Sequence, residues 1–318
     1  MTTVPGTTRT RQTVGVSETE DRSASRRRAA WIPATVVALW IAVAFVVGSD
    51  LETLRGTGAL LSGTGPAIEI VWTAVALALV IPSAISLTIA RVLTPLAPVV
   101  ALAVAVETTD VTTLVGVALS LVASLAVWSA PIGGFHLQAG AYGSERRFAL
   151  RPPAGYLLAA VIAWCLSLGL GIIALRAEGT VAQLITGVAA LLVAGVSAPR
   201  WHRLSRRWLV LVPTGVVVHD PLVLAETLML RRSEVAALTI ATDDSPADLA
   251  GGVRGPALVL STVEPVTAVL ATGPRQPGGR AIHLTAARVA PTRPGSVLRA
   301  WTQGRATPPP STQRSSRS

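Results

Sequence analysis

Few side chains in this chain are typed and spaced for chemistry. His219-Asp220 is the nearest thing to a dyad, but neighbours in a strand point to opposite faces, and this Asp precedes Pro221, so the pair reads as a turn. Asp243, Asp244 and Asp248 lack the spacing of a calcium loop and read as a solvated segment. His136 stands alone, and Cys165 is the only cysteine, so neither a metal-ligand set nor a disulfide framework is indicated. Glu107 and Asp110 are the carboxylates that an acyl or glycosyl transfer at a membrane surface would have to use, a thin basis for an enzyme. No P-loop, G-x-S-x-G or H-E-x-x-H occurs. The expectation is a protein with no catalytic residue, no cofactor and no metal.

The elements around these residues are those of a membrane protein. Of 318 residues, 51% are hydrophobic and 14% charged, against about 25% charged in an ordinary soluble domain. Every one of the 27 basic residues is arginine. After a Thr-, Ser- and Arg-rich segment over 1–30, expected to be disordered, six apolar runs follow at about 31–48, 67–90, 92–106, 111–130, 153–175 and 180–198. With six spans, twelve arginines (the Arg26 group, Arg91, the Arg146 group and the Arg200 group among them) fall on one side, and only Arg55 and Arg176 on the other. The positive-inside tendency then places both termini in the cytoplasm of a cell whose inner membrane the chain crosses. The run at 92–106, with Pro95 and Pro98, is the weakest and reads either as a span or as a re-entrant segment.

Small residues recur four apart in several runs, as in Gly116, Ser120 and Ser124, or Gly155, Ala159, Ala163, Ser167 and Gly171. Such ribbons let helix backbones approach closely. Gly116 and Ser120 in the fourth run and Gly155 and Gly171 in the fifth are the expected packing residues, and these two runs the expected tight pair. Between them, residues 131–153 form the longest cytoplasmic loop, rich in glycine, with Arg146, Arg147 and Arg151 as candidates for docking the C-terminal domain or anionic head groups.

After the sixth run, Arg200, Arg203, Arg206 and Arg207 follow the membrane with Trp201 and Trp208 interleaved. Directly after a span this is an interfacial anchor and a candidate membrane-surface contact, not a nucleic-acid site. From Trp208 the pattern changes to short strands: Trp208–Val212, a turn at Pro213-Thr214, Val216–Val218, then Leu222–Leu224, Thr227–Leu230, Leu238–Ala241, Ala257–Ser261, Val266–Ala271 and Ala281–Leu284. Val297, Leu298 and Trp301 share one face of a last helix, and 304–318 is a basic tail expected to be disordered. The expected class is a six-helix membrane bundle over 31–199 followed by a small antiparallel barrel or sandwich over 200–303.

Short strands closed by one helix, carried by RRWLVLVPTGVVVHDPLVLAETLMLRRSEV and APTRPGSVLRAW, resemble the pleckstrin-homology-like domain that ends a group of actinobacterial multi-pass membrane proteins. The resemblance implies a cytoplasmic module that contacts protein or anionic lipid, not catalysis. The turn Pro213-Thr214-Gly215 lacks the basic residues of phosphoinositide-binding members. A scaffold of the cell envelope, contacting the bilayer and either a membrane partner or a second copy, is the expected role. A transporter or channel subunit without ion-coupling residues is the alternative, since no ionisable residue falls clearly inside a run.

Overall fold

A computed structural model describes residues 31–48, 65–108, 111–242, 247–272 and 278–306. The expected tail over 1–30 and residues 307–318 of the tail expected over 304–318, like Asp110, Asp243 and Asp244, lie outside them; residues 304–306 are not a tail but the end of the last helix. Helices α1 (Trp31–Gly48), α5 (Val111–Trp128), α7 (Ala154–Arg176) and α8 (Thr180–Ser205) are each long and apolar enough to cross a membrane, as is the stretch Ala84–Thr108. Helix α2 (Gly65–Val80) is apolar but shorter.

The expected second and third spans are divided differently from the sequence reading. Pro82 has no amide hydrogen to donate and disfavours helix in the residue before it, so α2 stops at Val80. Ser83 then starts α3 (Ala84–Leu93) with a capping box: its hydroxyl accepts from the Ser86 amide (3.0 Å), and its own amide donates to the Ser86 hydroxyl (2.7 Å). Arg91 therefore lies within a helix and not in a loop between spans. A turn at Thr94-Pro95 leads into α4 (Leu96–Thr108). The Thr94 carbonyl, which Pro98 cannot serve, accepts from the Ala97 amide (3.0 Å) and the Ser124 hydroxyl (3.2 Å). The indole of Trp164 donates to the Val92 carbonyl at 3.0 Å. Polar side chains from neighbouring helices thus satisfy the bent backbone, as they must where water is absent.

The helix pairing also departs from expectation. Helix α5 packs on α4 and α1, and α7 on α8, where the Ser167 hydroxyl donates to the Ala190 carbonyl (2.9 Å). Ser120 is fully buried, and a Cβ at Gly116 would stand 3.1 Å from Val47 of α1. At Gly155 and Gly171 a Cβ would meet nothing. These two glycines make no close helix contact, so the expected tight pair of fourth and fifth runs is not formed. Trp40 and Trp72 stack at 4.7 Å between α1 and α2.

The loop after α5 is neither loop-like nor separate. Ser129-Ala130-Pro131 opens a helix, α6 (Ala130–Ala139), with Pro in its first turn, where no donor is needed. Arg146–Ala149 is a strand, β1. It pairs antiparallel with β2 (Trp208–Val212), which pairs with β3 (Gly215–His219), and that with β4 (Leu228–Arg231). At Gly215 a Cβ would stand 1.9 Å from the Leu230 carbonyl oxygen, so only glycine lets β4 close on the hairpin.

A second sheet holds β5 (Val235–Ile240), β6 (Leu258–Leu270) and β7 (Arg280–Val289). The two strands expected at 257–261 and 266–271 are one strand, with Pro265 accommodated where the register shifts between Ser261 and Val266. Leu222–Leu224 is a turn ending in a bridge from Leu224 to Leu270. Leu209, Leu211, Val216 and Val218 of the first sheet face Leu258, Leu260, Ala287 and Val289 of the second. Val297 and Trp301 of α9 (Pro294–Ala306) close the same core. The sheets do not form a closed barrel.

The two glycine classes give a direct check. Gly116→Leu should lower stability in detergent by about 1–3 kcal/mol through overpacking against α1. Gly171→Leu should leave the thermal melting temperature unchanged; equal losses in both would contradict the pairing described.

Candidate functional site

The polar residues gather at the seam between helices and sheets. The two-residue turn at Pro213-Thr214 sets Val212 opposite Gly215 and Trp208 opposite His219. One step further along, the same register sets Arg207 opposite Asp220. Both are buried, each about 1% exposed. Arg207 Nε donates to Asp220 Oδ1 at 2.7 Å, and Nη2 to Oδ2 at 2.6 Å. Nη1 donates to the Arg151 carbonyl. Asp220 Oδ1 also accepts from the Leu222 amide at 3.1 Å. A bidentate fork with a further hydrogen bond on each partner is the geometry in which a buried ion pair offsets its desolvation.

This pair sits where the membrane half enters the sheets. The Leu150 amide donates to the Arg207 carbonyl (3.1 Å), Arg151 N–H to the Ala290 carbonyl (2.8 Å), and Thr292 N–H to the Ala149 carbonyl (2.8 Å). The segment 146–151, supplied by the α6–α7 connection, is therefore hydrogen-bonded to β2 on one side and to residues 290–292 on the other. Arg151 donates to the carbonyls of Arg254 (2.8 Å) and Pro256. Its burial, and then the charge of Arg288, lower its pKa.

Below the seam, Arg91 lies over the Trp128 ring (5.1 Å to the centroid), beside a cavity of about 110 Å³ that Arg207 also lines. Its Nε has no hydrogen-bond partner among the described residues. A Cβ on Gly133 would stand 3.0 Å from Arg91 Nη2, so glycine makes room for the guanidinium. His136, fully buried, has Nδ1 3.2 Å from the Ser86 hydroxyl. Burial first, and the Arg91 charge after it, push His136 down to about 4 against a hydrogen bond to the Ser83 backbone. It is neutral in the folded chain.

The expected contact residues separate. In the collar, Arg203 and Arg206 are exposed, Arg200 bonds back to the Val196 carbonyl (2.6 Å), and Arg207 is the buried fork. Arg207 is thus withdrawn from any membrane surface. In the former loop, Arg146 is exposed and donates to Gln303 Oε1 at 3.2 Å. Arg147 pairs with Glu145 (3.1 Å) and lies over Trp208 (5.7 Å), which stacks on His219 (4.7 Å). Desolvation first, then Arg206, lowers the His219 pKa.

Asp220 is a missed structural residue: its role was legible in the hairpin register, where opposite charges face each other seven residues either side of the turn's centre. Asp248 caps its own loop, accepting from the Ala250 and Gly252 amides (both 2.8 Å). Among the described residues no group of three or more His, Cys, Asp or Glu gathers as for a metal ion. No family model, curated protein or solved structure matches the chain.

Two outcomes follow. Asp220→Ala leaves a buried guanidinium without its counter-ion and should cost about 3–5 kcal/mol, whereas Arg207→Met with Asp220→Leu should cost far less; denaturant melts of these two variants and the unsubstituted chain measure the difference. For His136, the depressed pKa means stability is fully present above about pH 6.5 and is lost as pH falls toward about 4. His136→Gln should flatten the dependence of melting temperature on pH across that window.

Proposed function

We propose that the chain is a non-enzymatic integral membrane protein whose sheet unit, of pleckstrin-homology-like type, is a cytoplasmic contact module held against the bilayer, and that it serves as a scaffold of the bacterial cell envelope. The observation that carries this reading is the seam. A strand from the membrane half is built into the sheet unit on both its edges, so the exposed arginines are held at a fixed position beside the helix ends. Four plus three antiparallel strands with a closing helix support the pleckstrin-homology-like reading. The arginine asymmetry, eleven to two with Arg91 counted in its helix and not in a loop, supports the cytoplasmic placement.

An apolar groove of about 450 Å³ among α1, α2, α4 and α7, floored by Trp40 and Trp72, favours a second reading, passage of an apolar substrate. The two separate in reconstituted vesicles. The scaffold reading predicts no protein-dependent flux of apolar fluorophores; saturable flux, abolished by filling the groove with Gly171→Phe, supports transport. A periplasmic reporter fused to the C-terminus should be inactive, and an active fusion would overturn the topology.

A further inference from the structure

A second groove, of about 380 Å³, opens between α6, β1 and the residues that lead into α9. Arg146, Arg147 and Arg293 line it, together with Ile32, Phe135 and Phe148. Glu145 holds Arg147, but Arg146 meets only the Gln303 amide oxygen, and Arg293, exposed, has no side-chain hydrogen bond or ion pair among the described residues. The groove thus carries an excess of two positive charges. Ile32 lies in the first turn of α1, next to Trp31, a residue 71% exposed, and from there α1 runs on as an apolar span. One wall is therefore cationic and polar, the other apolar and continuous with a membrane helix.

A soluble anion would have no use for the apolar wall, and a neutral lipid none for the arginines. Arginine forks match phosphate oxygens bidentately, and the aromatic and aliphatic floor suits the glycerol and first methylenes of an acyl chain. We propose that this groove binds one anionic phospholipid of the leaflet that α1 enters at Trp31, with the phosphate on Arg146 and Arg293 and the glycerol backbone against Phe135 and Ile32. The site is separate from the collar at Arg203 and Arg206. It rests on the reading of the sheet unit as lying against the bilayer. A solubilised chain has no sidedness, so the groove can fail in the following test while that reading, which the reporter fusion tests, still stands.

The test titrates the full chain in neutral detergent with dioctanoyl phosphatidylglycerol, dioctanoyl phosphatidylcholine and inorganic phosphate, following binding by calorimetry. Saturable binding of the phosphatidylglycerol alone is expected. Arg146→Gln with Arg293→Gln should weaken it about thirtyfold. Both side chains project from the surface, so the melting temperature should hold. A Cβ at Gly134, on the groove wall, meets nothing within 4 Å. Gly134→Phe should therefore fill the groove and weaken binding with every arginine intact, while Arg203→Gln with Arg206→Gln should leave it unchanged. Equal binding of the two lipids overturns the proposal, as does phosphate binding as tightly as the lipid. Loss in the collar variant but not in the groove variants overturns it too. Displacement of the lipid by an equal concentration of a glutamate-rich peptide would reassign the groove to a protein partner.

Discussion

The buried fork between Arg207 and Asp220 is the constraint on which the seam depends. An arginine in a protein interior cannot shed its proton, so its charge must be met in place. Asp220 meets it from the other strand of the same hairpin, and the third donor goes to the backbone of Arg151, a residue of the membrane half. The hairpin alone would satisfy the charge. The Arg151 carbonyl is what ties that local solution to the helices, and the strand hydrogen bonds of 146–151 extend the tie along a whole edge. Three chain segments distant in sequence are thereby fixed together: the end of α8, the α6–α7 connection, and the link from β7 to α9.

That interlock changes what a domain boundary means here. A cut at residue 200 separates the apolar helices from most strands, but it removes β1 from the first sheet and leaves one edge of β2 unpaired, a costly arrangement for a buried strand. Leu150 belongs to the same core as Leu209 and Trp301. The sheet unit is better described as 146–151 together with 207 onward, and the helices as the scaffold that delivers the first strand.

Much of the secondary structure was legible, because it rests on periodicity. The apolar runs, the hairpin at Pro213-Thr214 and the terminal helix with Val297 and Trp301 inward all follow from pattern and turn chemistry. What was not legible depends on tertiary partners. β1 is four residues long, too short for alternation to show, and exists because β2 offers it an edge. α6 was hidden by Gly133 and Gly134, which read as turn residues; its Ile132, His136 and Leu137 are buried, and packing outweighs propensity. The break after α2 was misplaced because Arg91 looked like a loop residue, whereas Trp128 and Gly133 give its guanidinium a place beside the helix. Gly155 and Gly171 show the limit of the small-residue ribbon: spacing permits close approach but does not say which helix will come.

The seam can be tested where it is made, at its amides. Hydrogen–deuterium exchange on the full chain in nanodiscs, resolved to the peptides that cover 146–151 and 290–292, is the most direct measurement. Protection of the Leu150, Arg151 and Thr292 amides matching that of the β2–β3 hairpin is the predicted result. Exchange at these positions as fast as in exposed turns, with β2–β3 still protected, would contradict it: the sheet unit would then be a separate domain tethered to the helices, and not one body with them.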